Sequence, residues 1–366
     1  MKSAYIHIPF CDTICSYCDF CKLLNNSDIV DKYLNELEKE IEKNYKKEKL
    51  NTIYIGGGTL SCLSLKQLEK LFNIINIFDK SELKEFSIEC NFESTTKEKL
   101  DLFKKYGINR ISYGLESIND NELKFLNRKA DQEHIKKIIN YSKEIGINNI
   151  NIDLIYALPN QKIENIKASL DFITCLDITH ISTYSLMIEN NTILKINNIK
   201  NISEDDDYTM YKYICNYLKQ HNFIHYEISN FAKKGYYSIH NDTYWKNNRY
   251  YGFGLGASGY IDNERYTNTR SITNYLKGKY KYSSEILSVY DDTEYQIILN
   301  LRRKYGINKK VFKEKFNIDI KKCYNYSSLV KEKFLIEDDN FIYIPEDKWY
   351  ISNEIIVRFL EGVLYE

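Results

Sequence analysis

A charge excess of either sign is missing from this 366-residue chain: 51 Lys and Arg stand against 51 Asp and Glu. A nucleic-acid binder or a polybasic membrane anchor should show a basic surplus, so neither is expected. No apolar run approaches the ~20 residues of a membrane span; stretches such as Leu71 to Phe78 are short and broken by Asn. Disulfide-like pairing is also missing from the nine cysteines. An odd, unpaired set points to a reducing compartment. Lys2, Ser3 and Ala4 open the chain without a signal-peptide pattern, so a cytoplasmic location is expected. Tyrosine is abundant, 33 in all, alongside much Lys, Asn and Ile. Genomic base bias accounts for that richness, and no site is drawn from it.

Short apolar strand candidates alternate with helical patterns. Tyr5–Ile8, Thr52–Ile55, Phe86–Glu89, Arg110–Tyr113, Ile150–Ile155 and His180–Leu186 read as strands, with helical periodicity between them. Such alternation predicts a parallel sheet, and six units make about three quarters of an eight-unit barrel. The expected fold is α/β, a partial (β/α)6 barrel of TIM type with a smaller C-terminal helical, winged-helix-like domain. The barrel is placed at residues 1–205, a linking segment at 206–290 and the C-terminal domain at 291–366. Ser203 ahead of Glu204-Asp205-Asp206 reads as a helix cap with acids in the first turn rather than as a metal site. In the last domain, Phe334–Ile336 and Phe341–Ile344 read as a hairpin before a helical Glu354–Leu360.

The densest chemistry lies in Cys11-Asp12-Thr13-Ile14-Cys15-Ser16-Tyr17-Cys18, three cysteines at i, i+4 and i+7. A four-iron cluster takes four ligands, and thiolates usually supply all of them. Three thiolates would hold three irons and leave the fourth open, which is what chemistry at a metal requires. Two alternatives stand beside this reading: buried structural thiols, and a Cys3His zinc site with His7. Zinc sites favour paired knuckles, and no second pair follows.

Gly56-Gly57-Gly58-Thr59 follows a strand candidate directly. It lacks the Lys-Ser/Thr of a phosphate loop. Either it is a plain tight turn, or its bare backbone approaches a ligand. Its place at a strand's C-terminal end favours the ligand. Glu89 and Asp153 lie at similar strand ends, where an isolated carboxylate is more often merely solvated.

Tyr5-Ile6-His7-Ile8-Pro9-Phe10-Cys11, with Cys15, Tyr17 and Cys18-Asp19-Phe20, resembles the radical S-adenosylmethionine (SAM) enzymes, and within them the family of the oxygen-independent coproporphyrinogen oxidase. The resemblance continues through Gly56–Thr59, Gly114-Leu115-Glu116-Ser117, Asn127-Arg128, Asn151 to Pro159, His240-Asn241-Asp242-Thr243-Tyr244-Trp245 and Ser352-Asn353-Glu354, nearly the whole chain. It implies a [4Fe-4S] cluster on Cys11, Cys15 and Cys18, with S-adenosylmethionine chelated at the open iron and cleaved by an electron from the cluster. It implies that Tyr5, Tyr17, Gly57, Gly58, Thr59, Glu89, Glu116, Arg128 and Asp153 line the cofactor, with Arg128 on its carboxylate. In the family's heme-chaperone branch the His240–Trp245 motif is associated with heme, so His240 is the expected axial ligand and Tyr244 and Trp245 the expected flat surface. No residue is singled out as catalytic.

Three departures bear on the choice of branch. The oxidase branch carries a further Cys two places after the third ligand; here that place is Phe20, and Cys21 is one later. Glu116 stands where the family usually has Gln, and an ionised carboxylate cannot donate a hydrogen bond. Ser258 stands where relatives often have His. Phe20, and a start close to Tyr5 that leaves no segment to close over a substrate, favour a heme chaperone delivering heme to respiratory proteins. The alternative is an enzyme that oxidatively decarboxylates coproporphyrinogen III.

Overall fold

The computed structural model describes residues 2–364, so the outer ends of the first and last expected domains lie outside it. Six strands form its parallel centre: β1 (Lys2–Ile8), β2 (Leu50–Gly57), β3 (Glu85–Asn91), β4 (Arg110–Glu116), β5 (Asn149–Tyr156) and β6 (His180–Ser185). Each pairs in parallel with the next, in chain order. Helices return the chain between them: α1 (Ser27–Asn44), α2 (Leu65–Ile75), α3 (Lys97–Lys105), α4 (Asp120–Leu126), α5 (Gln132–Glu144) and α6 (Ile163–Thr174). The sequence explains these choices. In α1, Val30, Tyr33, Leu34, Leu37 and Ile41 recur every three or four residues and are all buried. Ser64 caps α2 in a reciprocal box with Gln67, and Ser203 caps α7 (Glu204–Gln220) through the Asp206 amide, as its acidic first turn predicts.

The sheet is not closed into a barrel. It runs to twelve strands, extended by β7 (Ile224–Glu227) and β8 (Asn230–Ala232) at one side and by β9 (Tyr250–Phe253), β10 (Ser258–Ile261), β11 (Glu264–Asn268) and β12 (Lys281–Ile286) at the other. Only β9 is parallel to its neighbour β1; the other added strands are antiparallel. The short helix α8 (Ile239–Trp245) lies between β8 and β9.

The C-terminal part builds its own apolar core around Ile297, Leu301, Phe312, Trp349 and Phe359. Its hairpin, Ile336–Glu337 with Phe341–Tyr343, gains a third strand at Ile307–Asn308. The long helix opens at Val289, earlier than the apolar pattern from Thr293 indicated, because Ser288 forms a capping box with Asp291.

Candidate functional site

The C-terminal ends of the parallel strands gather nearly every residue that the sequence singled out. The cysteine loop leaves β1 and is tied across the sheet: Ser16 bonds the backbone of Phe125 and Leu126, and Asn127 Nδ2 donates to Ile14 O at 2.8 Å. Cys11, Cys15 and Cys18 are free thiols, each partly exposed. They influence one another in a closed ring, Cys11 with Cys15, Cys15 with Cys18 and Cys18 with Cys11, while partial burial raises all three thiols above their ordinary range. Thr59 Oγ1 lies 3.7 Å from the Cys11 sulfur.

Among the described residues no three His, Cys, Asp or Glu side chains converge tightly enough to hold one metal ion. A single zinc needs that convergence; a four-iron cube, which takes each thiolate on its own iron, does not. His7 is engaged elsewhere as well. Its Nδ1 meets Tyr5 OH at 2.9 Å, its Nε2 meets Cys21 O at 2.7 Å, and burial lowers its pKa to about 4. Three thiols in one loop suit a cluster, and His7 is turned to Tyr5 and Cys21 rather than offered as a fourth ligand. Cys21 lies beside Gly256 and the Arg270 backbone.

The glycine loop is shaped by close approach. Gly57 has φ +105°, and a side chain there would be driven into the His7 ring. A Cβ on Gly56 would come within 2.7 Å of the Glu89 carboxyl. Glu89 accepts from the Gly57 amide at 2.8 Å and from Tyr54 OH at 2.7 Å. The bare backbone thus first serves the protein's own His7 and Glu89.

A second group lies over β4 and β5. Tyr17 OH donates to Glu116 Oε1 at 2.8 Å, and Arg128 Nη2 donates to Gly114 O at 2.6 Å. Asp153 accepts from Asn151 at 2.8 Å and Ser112 at 3.2 Å. Burial raises Glu89, Asp153 and Glu116, the last to about 7. When protonated, a carboxyl raised in this way donates as well as accepts, so the Gln-to-Glu departure is softer than the sequence implied. The Arg128 side chain is only 6 % exposed, and its Nε has no partner. An orphaned buried guanidinium donor suits an anionic ligand such as the cofactor carboxylate.

His240 lies in α8 and is fully buried. Its Nδ1 meets Thr52 Oγ1 and its Nε2 meets Tyr244 OH, both at 2.7 Å. Burial lowers its pKa to about 3, so the ring is neutral. A cavity of about 370 Å³ joins it to the first group: Tyr5, Gly57 and Glu89 line it together with His240, Tyr244 and Ser258. Phe20, 66 % exposed, lines it too. Trp245 does not line it; its carbonyl is held by Asn300 Nδ2 at 2.7 Å. Sequence reasoning missed Thr52 and Glu85. Glu85 receives the amides of Ile239 and His240 at 2.8 and 3.1 Å, fixing the start of α8. Both are mid-sheet strand residues, and only their burial as polar groups marks them out.

Residues 5–173 match the model of the radical SAM superfamily, the class that this parallel centre and its cysteine loop define. That class carries a [4Fe-4S] cluster and S-adenosylmethionine. The chain is 37% identical over 369 residues to the heme chaperone HemW of Lactococcus lactis, covering 98% of this chain and 97% of that one. It is 37% identical over 379 residues to HemW of Bacillus subtilis, covering 98% and 99%. The chain belongs to the HemW family. In fold it resembles the coproporphyrinogen III oxidase HemN of Escherichia coli, with a TM-score of 0.84 and 21% identity over 97% of this chain and 89% of that one.

Proposed function

We propose that this chain is a heme chaperone: it binds heme with His240 as axial ligand and passes it to heme-accepting respiratory proteins. Cys11, Cys15 and Cys18 hold the cluster. Tyr5, Tyr17, Gly57, Gly58, Thr59, Glu89, Glu116, Arg128 and Asp153 surround S-adenosylmethionine. When bound, the pair supplies a one-electron reductive cleavage of the sulfonium C–S bond. The chain's own residues bind and orient: Arg128 offers a fixed cationic fork, Glu89 holds the glycine loop closed, and Phe20 walls the cavity. Residues 1–205 carry the cofactor site, 206–290 the heme-associated motif, and 291–366 the C-terminal unit.

The observation that carries this reading is the shared cavity, in which His240 and Tyr244 face Tyr5, Gly57 and Glu89. Two HemW relatives, each matching over nearly the full length, support it. No described helix is long and apolar enough to cross a membrane, and the nine free cysteines support a cytoplasmic location. The test is titration of the reconstituted protein with hemin, with and without the cluster, beside an anaerobic assay on coproporphyrinogen III. Saturable hemin binding without porphyrinogen turnover is expected. Turnover of coproporphyrinogen III with S-adenosylmethionine and a reductant overturns the chaperone reading.

A further inference from the structure

The hydrogen bonds around His240 form a chain whose direction is forced from one end. Thr243 Oγ1 donates to the carbonyl of Ile239 at 3.3 Å, which uses its only proton. Ser3 Oγ, 3.1 Å away, must then donate to Thr243. Thr52 Oγ1 in turn donates to Ser3 at 2.8 Å. Having given its proton, Thr52 can only accept from His240 Nδ1 at 2.7 Å. The neutral ring therefore carries its proton on Nδ1. Nε2 is left as a lone pair, and Tyr244 OH, 2.7 Å away, can only be its donor.

We propose that Tyr244 is a removable cap on a ligand nitrogen prepared in advance: Ser3, Thr52 and Thr243 fix the His240 tautomer, and the iron of a metalloporphyrin takes Nε2 by displacing the Tyr244 hydroxyl. The proposal rests on the heme reading of His240. The geometry is one of contact at the cavity wall: Tyr244 is half-buried as a residue and, like His240, lines the cavity. The ring of Tyr244 packs edge-on against His240 at 5.0 Å and Tyr250 at 4.6 Å. Tyr244→Phe keeps that packing and deletes only the cap. The cap keeps a buried acceptor satisfied until the ligand arrives.

Two measurements on the full-length protein decide it. Nitrogen-15 spectra, with His240 assigned from the His240→Ala difference, are expected to show a protonated Nδ1 and a bare, hydrogen-bonded Nε2 whose shift moves in Tyr244→Phe. A protonated Nε2 overturns the proposal. Hemin titration of Tyr244→Phe is expected to give about fivefold tighter binding, since one neutral hydrogen bond no longer has to be broken. That gain should vanish in the double variant with His240→Ala. If His240→Ala weakens hemin binding but Tyr244→Phe does not tighten it, the cap fails and the heme reading stands. If His240→Ala changes nothing, His240 is not the ligand and both fall.

Discussion

Glu89 Oε2 lies 2.8 Å from the amide of Gly57, and its other oxygen takes the Tyr54 hydroxyl at 2.7 Å. One carboxylate thereby clamps the glycine loop on β2 to the end of β3. The clamp works because Gly57 has φ +105° and no side chain to strike His7.

Gly57→Ala should therefore be among the most damaging small substitutions in the chain. It adds a left-handed strain of about 1–3 kcal/mol to a collision with the His7 ring. Gly107→Ala is the control, since φ is +85° there but nothing lies within 4 Å of the added carbon. Thermal denaturation should show a clearly larger fall in Tm for Gly57→Ala. Equal falls would refute the close-approach account.

Substituting Cys11, Cys15 or Cys18 by Ser should each abolish most of the iron and acid-labile sulfide in anaerobically reconstituted protein. Cys21→Ser should leave both unchanged, since Cys21 is turned to Gly256 and Arg270. Loss of iron in Cys21→Ser would make it a ligand and undo the three-thiolate assignment.

Arg128→Lys should weaken S-adenosylmethionine binding by about tenfold to a hundredfold, the worth of one charge-assisted hydrogen bond. Equilibrium dialysis of the cluster-loaded protein measures it. Lys also forfeits the bond to Gly114 O, so circular dichroism must show an intact fold alongside.

Glu40 supplies a pH test away from the site. It is buried and accepts from Gly254 N at 2.8 Å, Asn268 at 2.6 Å and Tyr275 at 2.6 Å. Burial nonetheless raises its pKa from 4.5 to about 7. The folded state then holds a proton that the unfolded state releases, so this group's stability is complete below pH 4.5 and drains away as pH climbs through about 7. The loss is of the order of 3 kcal/mol across that window. Denaturant titrations of Glu40→Gln should be flatter from pH 5 to 7 than those of the parent. An unchanged slope would show that Glu40 is ionised throughout.

The parallel centre could be read from the sequence because most of its strands carry a short apolar run and are followed by an amphipathic helix. Strands β7 to β12 could not. Lys281–Ile286 is exposed along its length, and Tyr250–Phe253 and Glu264–Asn268 carry no clean alternation, so their pairing is decided by neighbours far along the chain. At the site, contiguous motifs announced the cysteine loop, the glycines and His240. The helical setting of His240 stayed hidden because its anchors, Ser3, Thr52 and Glu85, are distant single residues of ordinary type. Trp245 belongs to the same hexapeptide as His240 yet does not face the cavity.

Those anchors mean that the hexapeptide is not a portable module. Grafted onto another scaffold, residues 240–245 would bring an imidazole free to flip and to titrate, because the groups that discipline it are owned by β1, β2 and β3. A relative that kept the six letters but lost Ser3, Thr52 or Glu85 would share the spelling without the chemistry.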